Sequence, residues 1–291
     1  MMYLLIMICI NKDIRKETTM PITADYHLHS SYSGDSNEPM ENIIRTAIDK
    51  GLTHICFTEH MDMDHPVTED TPKDYFTLNT DSYLYELAVC KEKYADKLKI
   101  LFGVELGLQP HLQKELALYA HSHEFDFIIG SVHIVNGKDP YYPEYFAGRS
   151  EEEAYREYFQ SVIDNIKKFQ NFDVCGHLDY VVRYGLNKDK DYSYEKYKDL
   201  FDKILELILE KEKGLELNTD SLRKGMEEAS PHTGILKRYK ELGGEIITIG
   251  SDAHFAKEVA ADFDRAAEIL KDCGFKYYCV YEKRVAEFRK I

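Results

Sequence analysis

The 291-residue sequence has too few basic residues to balance its acidic ones, with 37 Lys and Arg against 52 Asp and Glu and a formal net charge of -15. Proteins bind nucleic-acid backbones through clustered cations that displace counterions, so this charge argues against DNA or RNA as a partner. The six cysteines include no CXXC pair and no disulfide-framework spacing, and Cys56 and Cys175 lie in apolar, strand-like runs. We therefore predict a cytoplasmic protein.

The N-terminal run MMYLLIMICI is apolar, but it lacks a basic start and a small-residue cleavage site, and it is too short to cross a bilayer. We interpret residues 1–19 as an N-terminal extension outside the fold and expect no membrane partner. Residues 20–291 contain no Pro/Gly/Ser linker, low-complexity tract or repeat. We predict that they form a single domain, for which this length is ordinary.

Short β-rich runs alternate with longer segments of helical period. The predicted strands are 24–29, 53–60, 99–106, 126–133, 172–179, 214–219 and 245–254, and the clearest helices are 39–51, 151–169 and 194–212. This alternation predicts an α/β fold with a parallel sheet, and so many successive units favour closure into a barrel. An open doubly wound sheet is the alternative, although no GXGXXG turn follows the first strand. The loops 61–77 and 134–149 have the composition of a pocket wall.

Potential metal ligands lie at the C-terminal ends of six of the seven predicted strands. The polar residues at the strand ends are His27, His29, Glu59, His60, Glu105, His133, His177, Asn218, Asp252 and His254. In barrels of strand–helix units, these ends converge on one face. Residues two apart on a strand point the same way, so His27-X-His29 and Asp252-X-His254 each offer two ligands side by side.

Each of these residues also has a structural interpretation. His133 and His177 are individually typical of buried, hydrogen-bonded histidines, and Asp252 is typical of a helix N-cap. Glu105, however, ends a strongly apolar run, where an unpaired carboxylate would be costly to bury without a cation. Taken together, the set favours a metal centre.

Six motifs occur in one order along the chain: HLHSSYSGDS, FTEHMD, GVELG, GSVH, GHLDY and IGSDAH. They resemble the motifs of the PHP family, named for polymerase and histidinol phosphatase. The segments LELNTDSLRKG and ELGGEIITIGSDAH are similar to the monofunctional histidinol-phosphatase branch. The resemblance implies a distorted (β/α)7 TIM-like barrel that holds up to three divalent ions (Zn, Mn or Fe) at the C-terminal ends of its strands.

The resemblance also implies how the ligands are shared. The first ion would take His27, His29, Glu105 and Asp252, the second Glu105, His133 and His177, and the third Asp35, His60 and His254. Some family members have histidine at position 35, and a carboxylate there favours Mn or Fe over Zn. Asp35 also lies in a Gly-Asp-Ser turn, so turn formation is a rival explanation for it. Glu59 is expected to point away from His60.

The implied activity is hydrolysis of L-histidinol phosphate to L-histidinol and phosphate, with Glu105, Asp252 and His254 in the catalytic centre. Arg183 and Arg223 follow two strand ends and are predicted to bind the phosphate; exposed loop arginines are the alternative. His65 and His232 are candidates for the leaving-group acid only because they lie in loops. Two other functions stay open: a PHP phosphoesterase acting on another small phosphate or nucleotide, and a non-catalytic metal-binding interaction module.

Overall fold

Seven parallel strands, arranged in chain order, form the sheet at the centre of the protein. The computed structural model describes residues 21–291, so the predicted extension 1–19 lies outside the described residues. The strands are β1 (Ala24–Asp25), β2 (His54–Met61), β3 (Lys99–Gly107), β4 (Phe127–Ser131), β5 (Val174–Cys175), β6 (Gly214–Asn218) and β7 (Ile247–Gly250). The predicted α/β fold with seven parallel strands is confirmed.

Helices connect the strands and cover the outside of the sheet. They are α1 (Met40–Asp49), α2 (Thr80–Lys93), α3 (Gln113–Ser122), α4 (Glu151–Lys168), α5 (Lys198–Glu210), α6 (Asp220–Arg223), α7 (Thr233–Glu241) and α8 (Phe263–Asp272), with short 3-10 turns between them. Helix α4 begins at a capping box in which Ser150 and Glu153 each accept a hydrogen bond from the other's backbone N–H. Within residues 21–291, every helix is too short or too polar to serve as a bilayer span.

Apolar faces hold the helices against the sheet. On α5, for example, Phe201, Ile204 and Leu205 are fully buried, as the helical period predicts. Each such side chain stabilises the fold by roughly 1.5–3 kcal/mol relative to an exposed position. Cys56 and Cys175 are also buried and unpaired, which confirms their expected role as small core residues.

The sheet closes into a barrel because backbone hydrogen bonds connect the residues that follow β1 to those that follow β7. The Asp252 N–H donates to the His27 carbonyl at 2.9 Å, and the His29 N–H donates to the Ala253 carbonyl at 3.0 Å. These bonds replace regular strand pairing, so β1 and β7 are shorter than predicted. They also place the two ligand pairs from opposite ends of the chain side by side at one end of the barrel.

A hairpin of β8 (Tyr277–Glu282) and β9 (Val285–Lys290) covers the opposite end of the barrel and was not predicted. The Arg284 guanidinium bonds to the Asp173 carboxylate just before β5, and the Tyr26 hydroxyl donates to the Tyr281 carbonyl at 2.9 Å. The turn residues Lys283 and Arg284 both have positive φ, a conformation usually marked by Asn-Gly. The sequence therefore carried no ordinary signal for this hairpin.

Candidate metal centre

The carboxylate of Glu105 lies at the centre of a group of histidines at the C-terminal end of the barrel. Its Oε1 is 2.9 Å from His177 Nε2 and 3.3 Å from His133 Nε2. Its Oε2 is 3.0 Å from His60 Nδ1 and 3.2 Å from His27 Nε2. Glu105, on β3, is fully buried in the barrel. Its carboxylate therefore loses its hydration, and positively charged neighbours are needed to offset that cost.

The carboxylate of Asp252 lies beside His27 and His29, the two histidines that follow β1. Its Oδ1 is 3.4 Å from His29 Nε2 and 3.6 Å from His27 Nε2. The backbone of Asp252 is in the left-handed region, with φ +53°, an uncommon conformation for a residue other than glycine and one that is often associated with functional sites. Asp252 does not cap a helix, because the next helical turn begins at Ala256, after Phe255, and the Asp252 carboxylate accepts its hydrogen bonds from the side chains of Arg183 and Asn218, so the N-cap interpretation was wrong.

A third group forms at the edge of the cluster around Asp35. Its Oδ2 is 3.1 Å from His254 Nε2 and 3.6 Å from His60 Nε2. Asp35 is more exposed than the other acidic residues of the cluster, so this group lies nearest the solvent. Both ring nitrogens of His60 face carboxylates, and His60 therefore lies between the Asp35 and Glu105 groups.

The buried polar atoms of this cluster fit divalent cations. Eight buried side-chain N or O atoms of residues 21–291 have no hydrogen-bond partner, and seven of them belong to the cluster or to neighbouring Asp62. Four ligand groups bring their donor atoms within 4.8 Å of one another: His29–His60–His254, His27–His29–Asp252, His27–Glu105–His177 and His60–Glu105–His133. Leaving so many buried atoms unsatisfied would be costly. Imidazole and carboxylate donors without a thiolate suit Zn, Mn or Fe.

The electrostatics of the cluster support the same interpretation. Burial raises the pKa of Glu105, but His27 and His133 help to outweigh it and leave that pKa well below its usual range. Burial, followed by the neighbouring imidazole of His60, lowers the pKa of His29 to about 3. The positive charge that lowers the pKa of Glu105 comes from protonated His27 and His133, whereas metal binding requires neutral imidazoles, so bound cations would have to supply that charge instead.

Two buried carboxylates that the sequence analysis did not single out hold the imidazoles in place. Glu216 lies 2.5 Å from His27 Nδ1 and accepts the His177 backbone N–H at 2.8 Å. Asp62 lies 2.7 Å from His133 Nδ1. Such contacts fix which ring nitrogen faces the metal. Glu216 is two residues before Asn218 on β6, and this spacing was the signal that placed it on the same face.

Glu59 points away from His60, as predicted, and holds the loop after β1. It accepts the Ser33 hydroxyl at 2.6 Å and the Ser30 backbone N–H at 3.0 Å. His29 Nδ1 lies 3.0 Å from Ser33 Oγ. Because the single Ser33 hydroxyl proton goes to Glu59, His29 must donate from Nδ1, which leaves the lone pair of Nε2 facing the cluster.

Arg183 reaches the cluster, where it makes an ion pair with a candidate ligand. It is buried, and its guanidinium bonds to Asp252, Asp220 and Asn218 at 2.9–3.1 Å and to the Ser221 hydroxyl at 3.1 Å. Three of its five N–H groups make hydrogen bonds, to Asp252, Asn218 and Ser221, and Asp220 forms an ion pair with the same terminal nitrogen as Asp252. Arg183 therefore orients Asp252, and its predicted contact with a phosphate stays a prediction.

Arg223 does not line the cavity above the cluster. Its guanidinium bonds to the Ser251 carbonyl and to Asp220, which turns it away from the predicted position beside a phosphate. The next residue, Lys224, lines the cavity instead, with its Nζ 3.2 Å from Asp220. Because adjacent residues on a helical turn point in different directions, the motif LRKG did not show which cation faces inward.

The cluster opens into a cavity of about 500 Å³. Both loops expected to form a pocket wall contribute to it, with His65 and Phe76 from the first and Asp139 from the second. His232 is absent from the lining, and its Nδ1 accepts the Gly234 N–H at the start of α7. His232 therefore caps a helix, and of the two loop histidines only His65 faces the cavity.

The family model for the PHP domain matches residues 25–220. The chain belongs to the PHP family. A histidinol-phosphatase from Lactococcus lactis is 36% identical over 86% of this chain and 91% of its own length. A probable histidinol-phosphatase from Clostridium acetobutylicum is 32% identical over 91% of this chain and 98% of its own length.

A solved PHP structure is similar to this chain over most of its length. The crystal structure of histidinol phosphate phosphatase from Lactococcus lactis, complexed with zinc, L-histidinol and phosphate, has a TM-score of 0.82 and 33% sequence identity. The alignment covers 91% of this chain and 98% of that one. The expected PHP barrel is therefore confirmed, including the part beyond residue 220 that carries Asp252 and His254.

Proposed function

We propose that this protein hydrolyses L-histidinol phosphate to L-histidinol and phosphate. The observation that carries the proposal is the convergence of nine histidine and carboxylate side chains at the floor of one cavity, in a barrel similar to that of an enzyme solved with zinc, histidinol and phosphate.

We further propose that three groups of side chains hold metal ions. His27, His29, Asp252 and Glu105 would hold the first ion, Glu105, His133 and His177 the second, and Asp35, His60 and His254 the third. Divalent ions bound there would supply Lewis acidity and positive charge for the hydrolysis of a phosphate monoester. The distances within each group, 2.9–3.6 Å between facing ligand atoms, suit shared ions, and His60, 3.0 Å from Glu105, also connects the third group to the other two.

The protein supplies further charge on the cavity wall. The Lys224 ammonium lies where it can contact a phosphate dianion, and Arg183, which also lines the cavity, holds Asp252 in position. Burial lowers the pKa of Lys224, but Tyr184 and Asp220 outweigh it and leave that pKa raised, so the side chain stays cationic. We assign the phosphate-contact role predicted for Arg223 to Lys224.

The buried, unpaired thiols at positions 56, 90, 175, 273 and 279 are compatible with a reducing compartment, and we place the reaction in the cytoplasm.

Phosphate release from several esters tests the proposed substrate. Metal-free protein reloaded with Zn²⁺ or Mn²⁺ should hydrolyse L-histidinol phosphate with a much higher kcat/KM than nucleoside monophosphates. Equal rates would favour a less specific PHP phosphoesterase, and no turnover with any ester would favour a binding module. The protein with Asp252→Ala serves as the catalytically impaired control, with circular dichroism to check its fold.

A further inference from the structure

The cavity widens above the metal cluster into an outer part of about 1170 Å³ whose wall combines tyrosines with carboxylates. Asp139, Tyr180 and Tyr184 line both the inner and the outer part. A carboxylate beside the binding site of a phosphate dianion repels it. Such a residue is favourable only if another part of the substrate carries positive charge.

Among residues 21–291, the side chain paired with Asp139 is His65, which is charged only when protonated. The Asp139 side chain is only 11% exposed, and within residues 21–291 it forms no ion pair with Lys or Arg. Its Oδ1 accepts the Tyr141 backbone N–H at 2.7 Å, which leaves Oδ2 facing the cavity side of the loop. Asp220, on the same wall, differs because three basic side chains surround it.

His65 lies beside Asp139 in a way that leaves space for a donor. Its Nδ1 is 3.0 Å from the Pro66 carbonyl, which can only accept, so Nδ1 carries a proton. In neutral His65 the lone pair of Nε2 then faces Asp139 Oδ2 at 3.5 Å. Two acceptors at this separation can both bind one ammonium group, which has three N–H donors.

Tyr180 connects this position to the metal cluster. Its ring centroid is 5.0 Å from that of His177 and 5.3 Å from that of His133. Tyr184 continues the aromatic wall, 5.0 Å from Tyr180. Asp139 lines the same inner and outer parts of the cavity as this ring. Asp139 is therefore near the entrance to the proposed phosphate site.

We propose that Asp139, with His65 beside it, binds the protonated amino group of the substrate, while Tyr180 and Tyr184 provide the surface on which its imidazole lies. This inference rests on the proposed function. In L-histidinol phosphate the amine is attached to the carbon next to the one that bears the ester. An acceptor for it must therefore lie close to the phosphate, as Asp139 does, and an aromatic ring on the next carbon would reach the tyrosines.

Two changes test the inference: one removes the amine from the substrate, and the other removes the negative charge of Asp139 from the protein. The holoenzyme and its Asp139→Asn variant are assayed with L-histidinol phosphate and with the analogue that lacks the amino group. The Asn side chain keeps an oxygen for the Tyr141 N–H, so the turn is preserved. The matched control is Glu144→Gln, because Glu144 is exposed on the same loop and lines neither part of the cavity.

We expect Asp139→Asn to lower kcat/KM for L-histidinol phosphate by about 10- to 100-fold and not to lower it for the deamino analogue, whose phosphate is then freed from the repulsion of the carboxylate. Calorimetry should show L-histidinol binding weakened by a similar factor. An equal loss with both esters would assign Asp139 a structural role, and no loss with either would remove it from recognition; either result overturns the inference while the proposed function stands. If the unmodified protein does not prefer L-histidinol phosphate to nucleotides, the proposed function fails, and this assignment fails with it.

Discussion

Replacing Glu216 by Gln should weaken metal binding by about 10- to 100-fold although Glu216 is not itself a proposed ligand. One Glu216 oxygen faces His27 Nδ1 at 2.5 Å and the other accepts the His177 N–H at 2.8 Å. The Gln side chain has the same shape but only one oxygen. In either orientation of the amide, its NH₂ group faces another N–H donor, which is either His27 Nδ1–H or the His177 backbone N–H.

The magnitude follows from the contact that is lost. If the amide NH₂ faces His27, the ring must offer the lone pair of Nδ1, and the proton then moves to Nε2, the atom proposed to bind metal. A hydrogen bond to a charged acceptor contributes about 1.5–3 kcal/mol, equivalent to about 10- to 150-fold in affinity. Saturating metal stabilises the folded protein, and each tenfold loss of affinity reduces that stabilising free energy by about 1.4 kcal/mol.

Competition against a chelator of known affinity measures this change for Zn²⁺ and Mn²⁺, and thermal unfolding with and without metal gives an independent value. The matched control is Glu268→Gln, the same substitution at an exposed position on α8, which should bind metal as the unmodified protein does. Unchanged affinity in Glu216→Gln would refute the reasoning. So would an equal loss in the control.

Three further substitutions test other parts of the structure. His29→Ala should abolish turnover while circular dichroism stays unchanged; retained activity would contradict the proposed ligand set. Gly107→Ala places a Cβ 1.9 Å from Asp62 Oδ1, so thermal unfolding should show a loss of about 1–3 kcal/mol, whereas equal stability would show that Asp62 moves freely. Burial raises the pKa of Glu228, but hydrogen bonds from Thr233 outweigh it and leave that pKa lowered. The Glu228 carboxylate therefore stabilises the fold above its usual pKa of 4.5 and less as the pH falls, and the stability difference from Glu228→Gln should shrink on acidification; a constant difference would contradict this.

The sequence predicted the strands that carry candidate ligands more reliably than the contacts those ligands make. All seven central strands were predicted because each is a short apolar run followed by a polar residue. The C-terminal ends of parallel strands lie at the same end of a barrel, so the polar residues that follow them come together. The hairpin β8–β9 was missed because its turn uses Lys283 and Arg284 at positive φ. Arg223, predicted to contact a phosphate, points away from the cavity because side-chain direction on a short helical turn depends on local packing.

The sequence by itself determined the order and types of the candidate ligands, and through its motifs the PHP family. Only the tertiary structure decided which atoms face one another, because hydrogen bonds, most of them between residues far apart in the chain, fix each ring. Glu216 fixes the orientation of the His27 ring, Asp62 fixes that of His133, and Ser33 contacts Nδ1 of His29 so that its Nε2 faces the cluster. The pairing of Asp139 with His65, and with no Lys or Arg of residues 21–291, likewise became visible only once the loops were folded over the barrel, since an ion pair depends on distance and not on sequence separation.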